Sequence, residues 1–154
     1  MHPNAQTIET FYRAFQQRDA AAMAACYHEQ ARFSDPVFPD LDAGGVRAMW
    51  AMLLAGGKDL RLEFSGVEAD DQHGRAHWDA RYTFSASGRP VLNRIDAEFT
   101  FRDGLIVRHQ DRFDFHAWAT QALGLGGRLF GGSAWLQRKV QAQAAQRLAA
   151  WRRR

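Results

Sequence analysis

Near Asp59 the apolar residues of this chain switch from helical to alternating spacing, and that switch limits the possible folds more than any other feature. Before it, Ile8, Phe11, Tyr12 and Phe15 recur at the spacing of one helical face, which predicts a helix over residues 4–18. Asp19 is placed to cap a second short helix through AAAMAACY. ARFSDPVF reads as a short strand ended by Pro36, because the residue before a proline is driven to extended geometry. A third helix is predicted over VRAMWAMLLA, closed by Gly56 and Gly57.

After the switch, Leu60, Leu62 and Phe64 alternate with Arg61, Glu63 and Ser65. Trp78, Ala80, Tyr82 and Phe84 share one face of the next strand, and Asn93, Ile95, Ala97, Phe99 and Phe101 one face of the third. In the fourth, Leu105, Val107, His109, Asp111, Phe113 and Phe115 fall together. DDQHG, SASGRP and the Arg-Asp-Gly at 102–104 supply the turns between strands. Helices first and hairpin-linked strands afterwards predict an α+β domain built on an antiparallel meander. Beyond Phe115 a short helix (HAWATQAL), a glycine-rich hinge (GLGGRLFGG) and a last helix from Ser133 to Arg152 are expected. The division that follows is a domain over 1–123 and an extension of hinge and basic helix over 124–154.

Composition narrows the function classes. Cys26 is the single cysteine, so an internal disulfide and a thiolate metal cluster are both ruled out, and among alanines it reads as a buried thiol. There is no basic start followed by an apolar core, and no run approaches the ~20 apolar residues of a membrane span; a reducing cytoplasm is the expected compartment. The net charge of +3 is uneven. Arg128, Arg138, Lys139, Arg147, Arg152, Arg153 and Arg154 stand with no acid among them, leaving 13 basic and all 17 acidic residues in 1–127. Leu136, Val140, Ala144, Leu148 and Trp151 form a narrow apolar stripe on that basic helix. Packing on the domain or on a dimer partner is the favoured reading of the stripe, and contact with an anionic membrane the lesser one.

Chemistry is most visible in Leu105–Phe115. His109 and Asp111 break an otherwise apolar face twice in succession, and residues two apart on a strand lie ~6.5–7 Å apart and point the same way. Either they form a buried pair that only braces the sheet, or they line a pocket and touch a ligand. Asp35, at strand spacing from Phe33 and ahead of Pro36, is a second candidate; its alternative role is to cap the turn. Trp78 and Tyr82 read as core or pocket wall, and Asn93 is the polar member of an apolar face. His28 reads as a surface or capping residue, and His77 as solvated. Phosphate loops, His-Glu-x-x-His, Gly-x-Ser-x-Gly and cysteine pairs are absent, and His109 and Asp111 have no third metal ligand at a comparable spacing.

Taken in order, FYRAFQQRD, ARFSDPVF, HWDARYTFSASGRPV, NRIDAEFTFRDGLIVRHQDRFDF and WATQALG resemble the NTF2-like superfamily, in its SnoaL-like and ketosteroid-isomerase-like branch, from about Thr7 to Leu123. The resemblance implies a cone: a bent antiparallel sheet wrapped around N-terminal helices over an apolar pocket, frequently in a homodimer. It implies a small hydrophobic ligand, no cofactor, no metal and no nucleic-acid partner. Asp35 matches the general-base position of ketosteroid isomerase. The helix-1 tyrosine of that enzyme falls on Phe11, with Tyr12 one step away, and Asp96 falls on the polar face and is rejected. The candidate catalytic set is therefore Asp35, His109 and Asp111, with Phe11, Phe33, Trp78, Tyr82, Asn93 and Phe113 as ligand-binding residues. Isomerisation, cyclisation and epoxide opening are the implied reactions, and a non-catalytic binding or dimerisation module is the alternative.

Overall fold

The computed structural model describes residues 1–154. Helix α1 (Pro3–Gln16) starts on Pro3, with His2 Nδ1 accepting from the Asn4 N–H, and α2 (Ala20–Ala25) is capped by Asp19 as expected. Strand β1 (Tyr27–Ser34) and the two-residue β2 (Leu41–Asp42) follow. Helix α3 (Ala43–Gly56) starts three residues earlier than the apolar pattern suggested, because the Asp42 carboxylate accepts from the Gly45 N–H. Then come β3 (Arg61–Ala69), β4 (His73–Phe84), β5 (Arg89–Arg102) and β6 (Leu105–Arg112). Helices α4 (Phe115–Leu123), α5 (Leu125–Phe130) and α6 (Ala134–Arg152) end the chain.

One curved, open six-stranded sheet has the order β2-β1-β6-β5-β4-β3. Strands β3 to β6 are the antiparallel meander that the alternation predicts. Asp103 and Gly104 both have positive φ (55° and 77°), the type I′ geometry that joins β5 to β6. Strand β1 differs from expectation: it begins at Tyr27 and runs parallel to β6. Nothing local announces a parallel partner almost eighty residues away.

The first helix lies against the inner face of the sheet. Ile8, Phe11, Tyr12 and Phe15 are all at most 1% exposed, and with Trp50, Trp78, Phe99 and Leu148 they belong to one core. Each such side chain contributes about 2–3 kcal/mol by leaving water. The close approach depends on Gly74 of β4, where a Cβ would sit 2.8 Å from Ile8 Cδ1 and 2.9 Å from Phe101. A smaller core of Val91, Phe115, Trp118, Ala119 and Ala122 joins α4 to the sheet and takes in Val37, Leu136 and Val140.

Three further expectations need correction. The parity of β6 does not run unbroken: Thr100 pairs with Arg108 but Phe101 with Ile106, so Val107 is an extra residue in a β-bulge. Ile106, not Leu105 or Val107, shares the core with His109. The strand also ends at Arg112, and Phe115 opens α4 behind an Asp114 cap. The glycine-rich stretch is not an open hinge but contains helix α5. The apolar stripe of α6 turns toward the domain: Leu148 lies in the main core with Ala144 against it, while Leu136 and Val140 pack on the smaller core. No helix is long and apolar enough to cross a membrane.

Candidate functional site

Past the bulge, β6 turns His109 and Asp111 to the inner face, where they are 1% and 3% exposed. His109 Nε2 meets Asp111 Oδ1 at 2.9 Å, and His109 Nδ1 meets the Tyr27 hydroxyl at 2.8 Å. Trp50 Nε1 in turn donates to Tyr27 Oη at 2.9 Å. A carboxylate only accepts, so His109 Nε2–H donates to Asp111; in the neutral imidazole Nδ1 is then the acceptor, and the Tyr27 hydroxyl donates to it while its oxygen accepts from Trp50. The imidazole is boxed by Phe11, Phe33 and Phe99, with ring centroids 5.7, 5.0 and 4.4 Å away. Burial holds the Tyr27 phenol well above its ordinary value against the lowering effect of Trp50, and the Asp111 charge adds to the rise. Both imidazole nitrogens are thus occupied, and the ring's evident work is to hold Asp111.

Asp35 stands at the end of β1. The parallel register pairs Phe33 with His109 and Ser34 with Gln110 and stops one residue short of Asp35, which turns away from the strand pairing toward Phe38. Asp35 Oδ1 accepts from the N–H groups of Val37 (2.7 Å) and Phe38 (2.6 Å), so the turn-capping role is present. Burial nevertheless pushes its carboxyl up from 3.8 to about 7, with the Asp111 charge adding to the rise and the two N–H bonds opposing it. A carboxyl in that range holds or releases a proton near neutral pH.

Two buried donors complete the neighbourhood. Tyr12 Oη and Trp78 Nε1 have no hydrogen-bond partner within the protein, and their rings lie 6.0 Å apart. Burial raises the Tyr12 phenol well above its ordinary value, and the Asp111 charge raises it further. An unsatisfied buried donor costs about 1–3 kcal/mol, so two together call for an acceptor. Tyr82 Oη accepts from Trp118 Nε1 at 2.7 Å, and burial, with a contribution from Asp35, raises its phenol. Asn93 pairs with Ala80 on the inner face and is 8% exposed.

Phe11 and Phe33 are closed into the core around His109, and Phe113 is half-buried beyond the end of β6. Two concavities lie elsewhere. One of about 650 Å³ is on the outer face around Arg75, Glu98 and Arg108. The other, of about 400 Å³, is bordered by Tyr82, Val91 and Gln121. His77 bridges Asp96 (2.8 Å) and Asp79 (2.7 Å) on the outer face. His28 is better covered than a surface residue, with 13% of its side chain exposed and its Nδ1 accepting from the Gln30 N–H. No group of three or more His, Cys, Asp or Glu residues comes together as a metal site. Sequence reasoning missed Tyr27 and Trp50 altogether, since the start of β1 and its parallel partner were both hidden. Tyr12 was visible as a member of an apolar helix face and as the neighbour of the position, Phe11, on which the resemblance sets a tyrosine.

The profile of the SnoaL-like domain matches residues 8–109. TerC, solved with polyporic acid, superposes with a TM-score of 0.67 at 20% identity over 78% of this chain and 98% of its own. IdmH, a candidate polyketide cyclase of Streptomyces antibioticus, gives 0.66 at 23% identity over 80% and 100%. An LEH-like epoxide hydrolase of M. tuberculosis gives 0.64 at 17% identity over 82% and 95%. A search of curated proteins finds no significant match. With an α+β sheet of this topology and a profile match over most of its length, the chain belongs to the SnoaL-like family of the NTF2-like fold.

Proposed function

We propose that the protein binds a small hydrophobic ligand bearing a carbonyl or epoxide oxygen and acts on it by acid–base catalysis without a cofactor. The observation that carries this reading is the pair of buried, unpartnered donors Tyr12 Oη and Trp78 Nε1, facing the side of the sheet that carries the buried Asp111 carboxyl, with Asp35 at the end of the neighbouring strand. In an isomerase- or cyclase-type step, Asp35 as carboxylate takes a proton from carbon next to the substrate carbonyl. The electron pair moves onto the substrate oxygen, which accepts from Tyr12 Oη–H and Trp78 Nε1–H, and the proton returns from Asp35 to the product. Asp111 keeps a fixed place through His109, so His109 is a positioning residue and not one that touches substrate. TerC, IdmH and the LEH-like hydrolase support this class by analogy of fold alone.

A second reading, a binding module without chemistry, rests on one observation: His109 is sealed among aromatic rings with both nitrogens engaged. A turnover and thermal-shift screen with lipophilic carbonyl and epoxide compounds separates the two. Asp35→Asn and Asp111→Asn are expected to lower turnover by roughly 100-fold or more while leaving ligand-induced thermal shifts in place. Turnover unchanged in both variants, or ligand shifts with no turnover in the parent, would remove the catalytic reading. Tyr12→Phe tests the donors: it keeps the ring and removes only the unpartnered hydroxyl, so it is expected to stabilise the ligand-free protein by about 1–2 kcal/mol and to weaken ligand binding, opposite signs that a packing role does not produce.

A further inference from the structure

Helix α5 buries Gly127 and exposes its leucines. Gly127 packs on α4 so tightly that a Cβ there would lie 1.8 Å from the Ala119 carbonyl oxygen. Gly131 is equally confined, with a Cβ 2.3 Å from the Gly127 carbonyl oxygen and 2.7 Å from His116 Cδ2. The contact between His116 Nε2 and the Arg128 carbonyl, 2.9 Å, fixes the helix in that orientation. The large apolar side chains are left on the outside: Leu125 is 70% exposed, Leu129 64%, Phe130 53%, and Trp135 in the first turn of α6 56%. Phe130 and Trp135 meet edge to face at 6.4 Å, and Lys139 Nζ lies 5.2 Å over the Trp135 ring. This is a different surface from the apolar stripe of α6, which is used up on the domain.

Along the chain, the charge beside the patch has one sign. No acidic residue follows Asp114, and Arg128, Arg138 and Lys139 are exposed beside the four apolar side chains. A second copy meeting the same patch would bring like charges together. Four side chains expose on the order of 500 Å², short of the ~800 Å² per partner that a stable dimer buries. Leucine, phenylalanine and tryptophan ringed by lysine and arginine fit the boundary between lipid headgroups and acyl chains.

We propose that the α5–α6 corner docks the protein on the surface of an anionic lipid bilayer. Leu125, Leu129, Phe130 and Trp135 enter the headgroup boundary, and Arg128, Arg138 and Lys139 pair with lipid phosphates. The proposal is independent of any reaction at the inner face. The test is flotation of the full chain with vesicles of phosphatidylcholine alone and of phosphatidylcholine with phosphatidylglycerol. Association with the anionic vesicles only, weakened by salt, is expected. Arg138→Gln with Lys139→Gln should lower that partitioning by roughly 30-fold, about five-fold per charge. Leu129→Ser with Phe130→Ser should lower it by roughly ten-fold or more. Both pairs are exposed, so thermal midpoints should match the parent; if the apolar pair misfolds, the charge pair decides alone. Failure of the parent to float with anionic vesicles, equal association with both lipid mixtures, or full binding by the charge pair overturns the proposal. A vesicle-free dimer that the apolar pair dissolves also overturns it, by assigning the patch to a second copy.

Discussion

Asp35→Asn should make the protein more stable at alkaline pH and remove most of its stability loss between pH 4 and pH 7. The amide keeps an Oδ1 to accept from the Val37 and Phe38 N–H groups, so the turn survives. What disappears is the ionisation. The carboxyl has an ordinary value of 3.8 and is pushed to about 7 in the folded protein. Below the lower value both folded and unfolded chains hold the proton, and nothing is lost. Between the two, the unfolded chain is ionised while the folded one keeps its proton, so stability falls as pH rises; above the upper value the loss is complete. The full shift corresponds to about 4 kcal/mol, and because Asp35 keeps some contact with solvent we expect about 2–4 kcal/mol. For a chain of this size that is a gain of roughly 5–12 °C in Tm at about pH 8.5, with little difference near pH 4. His77 moves stability in the same direction. Its raised value, due first to the Asp96 hydrogen bond, supports the fold at low pH and is lost as pH climbs through it. That contribution is common to parent and variant, so the difference between their urea-unfolding curves isolates Asp35. Parallel loss of stability in the two proteins across the window would refute the reasoning.

Tyr27→Phe should cost about 2–3 kcal/mol by urea unfolding, because it strips the partner from both Trp50 Nε1 and His109 Nδ1 in a buried chain. If the inner face is catalytic, the same variant should also lower kcat, since Asp111 is then less firmly held. Gly127→Ala should detach α5 from α4, seen as faster amide exchange over Leu125–Phe130, because the new methyl would overlap Ala119 backbone. Gly126→Ala, one residue away in open space, should leave exchange unchanged and stabilise by about 0.5–1 kcal/mol.

Much of this molecule is legible along the chain because the information is local. The change of period near Asp59, the aspartate cap of α2, the Asp103–Gly104 turn and the inward parity of His109 and Asp111 each depend on residues a few positions apart. The glycines of GLGGRLFGG read as a hinge for the same reason: by propensity they weaken a helix, and only the close face of α4 makes their smallness an asset. The bulge at Val107, invisible to an alternation count, shows where local parity fails.

The site itself was decided by tertiary structure. Tyr27 reaches His109 only because β1 lies parallel to β6, and the same pairing brings the end of β1, where Asp35 follows, alongside the strand that carries Asp111. Burial strips most of the water from the Asp35 carboxyl and the Asp111 charge adds to the rise, and neither condition is a property of Ser-Asp-Pro. Which residue types face inward follows from neighbours in sequence; which of them meet, and how readily each gives up a proton, follows from strands that the chain brings together across many tens of residues.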